Sequence, residues 1–283
     1  ALSPISPLPR VMLEPLVRAA LLEDLGRAGD ITTDAVIPQG MSMQGVIAAR
    51  QPGVIAGTQL AALAFSLMDE GVRAVIEKGD GSPVQPGDVV MSLAGPARAI
   101  LSAERVALNF MGHLSGVASA TAVLVAAARP HPARIVCTRK TTPGLRAVQK
   151  HAVRAGGGAN HRFGLDDAVL IKDNHIAVAG GVRQAIQAAR AAVGHLVKIE
   201  VEVDTLAQLH EALEARVDAV LLDNMSPAQL TEAVQIVAGR AITEASGRIT
   251  AATVNAVAAS GVDLISAGWI THSAAVLDLG LDA

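Results

Sequence analysis

The chain has 283 residues, a formal net charge of −3 and a hydrophobic fraction of 51%. Three Phe, one Trp and no Tyr leave no stacking platform for single-stranded nucleic acid, and the charge offers no basic field for a duplex. Cys137 is the only cysteine, which excludes an internal disulfide framework and a cysteine-built zinc site.

The length suits one large α/β domain, or a barrel with a smaller partner domain, around an aliphatic core. The opening ALSPISPLPR lacks the basic-then-apolar order of a signal peptide. The longest apolar stretch, 118–128, is too short for a bilayer and is broken by Ser119 and Thr121. A cytoplasmic protein without membrane or nucleic-acid partners is expected.

Residues 11–25 read as a helix ending near Gly26. Residues 44–58 alternate as a strand pair around Gln51-Pro52-Gly53, and 59–69 read as a helix. Short strands punctuated by Gly79-Asp80-Gly81, Pro83 and Pro86-Gly87 follow, ending near Ala97. This half reads as an α+β layer. From Ser102 a long apolar helix runs through Arg105, Leu108 and Leu114 and on toward Ala128. Strands and helices then alternate. Strands are expected at 134–137, 168–171, 197–203, 219–222, 241–243 and 264–267. Helices are expected at 145–155, 182–193, 206–215, 227–237 and 251–260. Short apolar runs with helices between them indicate a parallel sheet buried on both faces. Polar residues close nearly every strand, as a barrel with its site at the strands' carboxyl ends requires.

The window 138–174 carries seven cations (Arg139, Lys140, Arg146, Lys150, Arg154, Arg162, Lys172) against three acids (Asp166, Asp167, Asp173). Arg146, Lys150 and Arg154 fall at i, i+4 and i+8 and read as a solvated helix face. The other four flank strand ends or glycine-rich loops, where Arg forks and Lys point charges bind carboxylate or phosphate. Gly156-Gly157-Gly158, ahead of His161 and Arg162, allows backbone amides to be aimed at an anion. Glu200 and Glu202 share one strand face, and Asp223 closes the next strand. These acids suit sugar hydroxyls, Mg²⁺ or a cationic transition state. Ala245-Ser246-Gly247 and Gly268 resemble a phosphate cup on late barrel loops. Cys137 reads as a small core hydrophobe.

Together these residues resemble the quinolinate phosphoribosyltransferase family. The resemblance rests on TRKTTPGLRAVQKHAVRAGGGANHRFGLDDAVLIKDNH, ERVALNFMGHLSG (104–116), EVEVD (200–204), LLDN (221–224), EASG (244–247) and AGWITHS (267–273), and runs from about Glu23 to the C-terminus. It implies an α/β fold: an N-terminal α/β sandwich (1–115), a seven-stranded incomplete α/β barrel (116–269), and a tail (270–283) packed back on the sandwich. It implies decarboxylating phosphoribosyl transfer in NAD synthesis, in a homodimer with a site shared across the interface. By resemblance, quinolinate meets Arg139, His161, Arg162 and Lys172, with Arg105 from the other subunit, and Thr138 is a further substrate-binding residue. Lys140 and Lys172 face the pyrophosphate of phosphoribosyl pyrophosphate. Glu202 and Asp223 hold the ribose, with Mg²⁺ bound through substrate and these acids. Ser246, Gly247 and Gly268 form the cup for the 5′-phosphate, Ser266 is a further substrate-binding residue, and Arg248 either adds a phosphate contact or points outward. Lys140, Lys172, Glu202 and Asp223 are the implied catalytic set. Three positions depart from the family pattern: Arg248 for a second glycine, His151 for an aromatic, and Trp269 for a small residue.

Overall fold

The structure is a computed structural model describing residues 5–283. The first four residues of the Pro- and Ser-rich N-terminus lie outside the described part. In chain order the elements are α1 (Arg10–Leu25), α2 (Ile31–Val36), β1 (Ser42–Ala49), β2 (Gly53–Val54), α3 (Thr58–Met68), β3 (Arg73–Ile76), β4 (Pro83–Val84), β5 (Val89–Pro96), α4 (Ala97–Ala128), β6 (Arg134–Val136), α5 (Arg146–Ala155) and β7 (Val169–Ile171). They continue as α6 (Asp173–Ala179), α7 (Val182–Ala192), β8 (Ile199–Val203), α8 (Leu206–Glu214), β9 (Ala219–Asp223), α9 (Pro227–Val237), β10 (Ile242–Ser246), α10 (Val254–Ala259), β11 (Leu264–Ser266), α11 (Trp269–His272) and β12 (Leu279–Asp282).

Two compact units emerge. One holds the described residues up to Ala122 together with 147–157 and Ser273–Ala283, and the other holds Val123–Arg146 and Gly158–His272. These units differ from the division read in the sequence: α5 from Ala147, with Gly156 and Gly157, groups with the first unit, and the tail joins it from Ser273 rather than from 270.

The first unit carries a sheet ordered β12-β1-β5-β3, with antiparallel pairing throughout, and a separate β2-β4 ribbon. Leu13, Val17 and Leu21 of α1 repeat every four residues and are buried, as are Leu60, Ala61, Ala64 and Phe65 of α3. The strand pair expected over 44–58 does not form. β1 pairs with β5 and with the chain's last strand, while β2 pairs with β4. Alternation reveals a half-buried strand but not its partner.

α4 is a single helix of 32 residues, long and apolar enough by length and composition to cross a membrane, a test that 118–128 alone fails. Half of its most apolar window is buried inside the protein. Its polar residues are also used there: Ser119 Oγ accepts the Val54 N–H at 2.8 Å and Ser115 Oγ the Ala56 N–H at 3.0 Å. α4 is therefore a core helix. A Cβ on its Gly116 would come 2.0 Å from the Ala275 carbonyl oxygen, so only glycine lets the tail cross the helix here.

The second unit is a parallel sheet ordered β6-β11-β10-β9-β8-β7. β11 pairs with β6, so the last strand closes onto the first. A seventh strand position survives as one parallel bridge, Val136 to Ala159, on the other edge of β6. It is made by Ala159 N–H donating to Ile135 O at 2.8 Å and Cys137 N–H donating to Ala159 O at 3.3 Å. This is an incomplete α/β barrel, six strands plus one bridge. Its helices have local reasons to start: Thr205 with Gln208, and Ser226-Pro227 with Gln229, form capping boxes. α10 begins at Val254, three residues later than expected, because Thr250 and Thr253 hydrogen-bond in a turn of their own.

Candidate active site

Side chains alternate along a strand, so residues two apart share a face. In the barrel the face lining a common cavity carries Leu170 and Lys172 at β7, Glu202 on β8, Leu221 and Asp223 on β9, Glu244 and Ser246 on β10, and Ser266 on β11. Thr138, Arg139 and Lys140, just past β6, and His161 and Arg162, just past the bridge, complete it. The cavity measures about 400 Å³ and lies wholly in the second unit. Ten of the sequence-predicted site residues thus converge there: Thr138, Arg139, Lys140, His161, Arg162, Lys172, Glu202, Asp223, Ser246 and Ser266.

The cations are placed to receive an anion. Arg139 and Arg162 each have a buried Nε without a hydrogen-bond partner. Arg162 Nη1 donates to Ala168 O at 3.1 Å. Burial, then the charge of Arg139 beside it, pull the Arg162 pKa below its ordinary value. Two forks held together against their repulsion leave donors for a ligand carrying more than one negative charge. Lys172 Nζ pairs with Glu202 Oε2 at 3.0 Å. Its backbone N–H donates to His175 Nδ1 at 2.9 Å, holding the turn into α6.

His161 is tied on both sides. Its Nδ1 accepts the Arg162 N–H at 2.8 Å, which leaves the proton on Nε2, facing Glu200 Oε2 at 2.8 Å. Glu244 Oε2 lies 3.6 Å from the same Nε2. The sequence reading assigned His161 to substrate and missed this cluster. The signal was present: Glu244 stands two residues before Ser246, on the inward period of β10, as Glu200 stands two before Glu202.

The late loops are shaped by glycine, although Gly247, Arg248 and Gly268 do not themselves line the cavity. A Cβ on Gly247, at φ +103°, would meet Asn224 Oδ1 at 2.3 Å. A Cβ on Gly268 would meet the Lys140 side chain at 2.8 Å, so this glycine admits Lys140. Arg248 adopts φ 50°, the left-handed conformation that glycine takes without strain. Trp269 Nε1 donates to Ile249 O at 2.8 Å, bracing the same loop.

Two readings need correction, and that of Cys137 as a core residue holds. Lys150 is buried, only 2% exposed, and Arg146 Nε donates to Thr141 Oγ1 at 3.0 Å and its Nη1 to Phe163 O at 3.2 Å. Of the supposed solvated face only Arg154 is exposed. The triple glycine does not line the cavity: a Cβ on Gly156 would lie 2.2 Å from Ala118 O, so it serves packing against α4. Cys137 is buried, its Sγ 3.3 Å from Asn160 Oδ1. Arg105 lies in the first unit, exposed on α4.

Residues 30–115 match the quinolinate phosphoribosyl transferase N-terminal domain, and residues 117–282 its C-terminal domain. The chain belongs to the quinolinate phosphoribosyltransferase family. Among its relatives is a probable nicotinate-nucleotide pyrophosphorylase (carboxylating) of Bacillus subtilis, 43% identical over 96% of this chain and 93% of the relative. The nicotinate-nucleotide pyrophosphorylase (carboxylating) of Mycobacterium leprae is 44% identical over 94% of this chain and 95% of its own length. A solved nicotinate-nucleotide pyrophosphorylase from Francisella tularensis superposes with a TM-score of 0.94 at 37% identity, covering 99% of both chains. The phosphoribosyltransferase family therefore accounts for both units.

Proposed function

We propose that this chain is a decarboxylating quinolinate phosphoribosyltransferase. It moves the phosphoribosyl group of phosphoribosyl pyrophosphate onto the ring nitrogen of quinolinate and releases pyrophosphate, CO₂ and nicotinate mononucleotide. The observation that carries the reading is the cavity itself. Four cations and three acids, Glu202, Asp223 and Glu244, share one barrel mouth. A site for a simple anion gains nothing from the acids, whereas a transferase must hold both a dianionic base and a sugar that becomes cationic.

Arg139 and Arg162, with their unpartnered Nε groups, take the adjacent carboxylates of quinolinate. Lys140 and Lys172 offset the charge that develops on the departing pyrophosphate, and Glu202 and Asp223 stabilise the cationic ribose centre. Lys172 starts out paired with Glu202, so substrate binding redistributes an ion pair that already exists. Ser246 and Ser266, the last residues of β10 and β11 beside the Gly247 and Gly268 loops, receive the 5′-phosphate. Arg248 adds a cation at the rim.

Glu202 and Asp223 are oxygen donors at a solvent-reached strand end, which fits Mg²⁺ bound through one or two carboxylates plus substrate phosphates. The ion would supply charge neutralisation to the leaving pyrophosphate. The active form is a homodimer in the cytoplasm, Arg105 completing the partner's site.

The test is direct. The protein is incubated with quinolinate, phosphoribosyl pyrophosphate and MgCl₂, and CO₂ and nicotinate mononucleotide are measured. Turnover with a different base but none with quinolinate would overturn the assignment.

A further inference from the structure

One group on the cavity floor has no task in this scheme. Glu244 on β10 lines the cavity, is 1% exposed, and has no hydrogen-bond partner on either carboxyl oxygen. From β8 it faces Glu200. From the segment after Ala159 it faces His161, with the three groups' ligand-type atoms all within 4.8 Å of one another. β11 presents the Ser266 hydroxyl, which turns toward Ala245 O at 3.5 Å, and β9 presents the apolar Leu221.

The hydrogen bonds decide which carboxyl is charged. His161 carries its proton on Nε2 and spends it on Glu200 at 2.8 Å, so Glu200 is the satisfied anion. A second carboxylate this close, buried and faced only by the Ser266 hydroxyl and by His161 Nε2 at 3.6 Å, would bear both desolvation and like-charge repulsion. The neutral acid bears neither.

We propose that Glu244 stands in the site as a carboxylic acid and delivers its proton to the ring carbon that CO₂ leaves. The proposal rests on the activity proposed above. Once the ring nitrogen is bonded to the sugar it is cationic. The bond from the neighbouring ring carbon to its carboxylate then breaks, CO₂ departs, and the electron pair stays on carbon beside the positive nitrogen. That carbon forms a bond to the Glu244 proton, and the O–H electron pair remains on Glu244 as carboxylate. Water returns a proton to Glu244 between turnovers. The anion formed in the meantime lies 3.6 Å from His161 Nε2.

Other donors are less suited. Guanidinium groups do not release protons. Lys172 is paired with Glu202, and the His161 proton is engaged by Glu200. Burial, reinforced by Glu200 and only partly opposed by His161 and the Ser266 hydroxyl, lifts the Glu244 pKa to about 7, where an acid both keeps and yields a proton near neutrality.

The test separates the two chemical steps. In a rapid-quench single turnover with carboxyl-labelled quinolinate, phosphoribosyl pyrophosphate and MgCl₂, pyrophosphate and CO₂ are followed independently. Glu244→Gln keeps the shape but has no acidic proton, so the carbanion recombines with CO₂. Its CO₂ release should fall roughly 100-fold or more. Pyrophosphate should form within about 3-fold of the unaltered rate, and mononucleotide that retains both carboxylates should accumulate. Glu244→Asp should recover part of the CO₂ step. Equal loss of both products, or an unchanged CO₂ step, would overturn the proposal. The unaltered protein gives a second measurement should the Gln variant not fold. Its infrared difference spectrum between pH 6 and pH 8 should contain the band of a buried protonated carboxyl, and absence of that band would overturn the proposal. Failure of the unaltered protein to release any CO₂ from quinolinate would instead refute the activity itself.

Discussion

Replacing Arg162 with Met isolates the contribution of paired cations, because it removes the charge and keeps much of the volume. In the unliganded protein two effects oppose each other. The hydrogen bond from Nη1 to Ala168 O is lost, at a cost of about 0.5–1.5 kcal/mol. Removing a half-buried charge that burial and Arg139 both disfavour works in the other direction. The melting temperature should therefore move by less than about 4 °C. Binding has no such offset. Each hydrogen bond from a charged donor to a substrate carboxylate contributes roughly 1.5–3 kcal/mol, so quinolinate affinity should fall roughly 10- to 150-fold. Calorimetric titration of quinolinate into both proteins, with thermal unfolding as a control, measures the two quantities separately. An intact fold with affinity reduced less than about 5-fold would refute the pairing of Arg162 with substrate.

Arg248→Gly should raise stability by about 0.5–1 kcal/mol, since Arg248 is held at φ 50° and the gain is offset by the greater freedom of an unfolded glycine. A lower unfolding midpoint for the variant would contradict this. Asp80 accepts from Gly57 N–H, Thr58 N–H, Thr58 Oγ1 and His151. Burial alone would raise its pKa, but these bonds outweigh it and leave the pKa below the ordinary 3.8. A depressed pKa stabilises the fold above the unfolded value and ceases to do so as pH falls through the folded one. Asp80→Asn should thus cost roughly 1–3 kcal/mol at pH 7, and its deficit should shrink below about pH 4. Thermal unfolding across that range would show it, and a deficit constant with pH would refute the linkage. Arg105→Ala and Lys140→Ala, each inactive alone, should partly recover activity when mixed if the site is shared. No recovery after demonstrated subunit exchange would sink the shared site.

The barrel was legible because its strands are short aliphatic runs closed by polar residues, a pattern set by burial on both sheet faces. The N-terminal sheet was less so. Its β12–β1 pairing joins residues 46–49 to residues 279–282, and local alternation carries no information about so distant a partner. The cations Arg139, Lys140, Arg162 and Lys172 were legible from their place at strand ends. Lys150 was misread because a 3.6-residue period identifies a shared helix face but not what that face meets; five of its neighbours on α5 are buried too. Glu244 was overlooked because a single acid in a strand looks ordinary until its neighbours on β8 are folded beside it. Arg146 bonds to Phe163 across 17 residues of chain, a contact visible only in three dimensions.

The single bridge at Ala159 has a consequence for which changes of length this chain can bear. Arg139 stands three residues beyond Val136 and Arg162 three beyond Ala159, and Val136 and Ala159 are the bridged pair. The two arginines are thus counted off from one register point on adjacent parallel segments. Inserting or deleting one residue between Ala159 and Arg162 would turn the second guanidinium away from the first, whereas extending the loop after Arg162 would not. The shortest strand position in the barrel is therefore where spacing is least negotiable: it works as a ruler rather than as a wall.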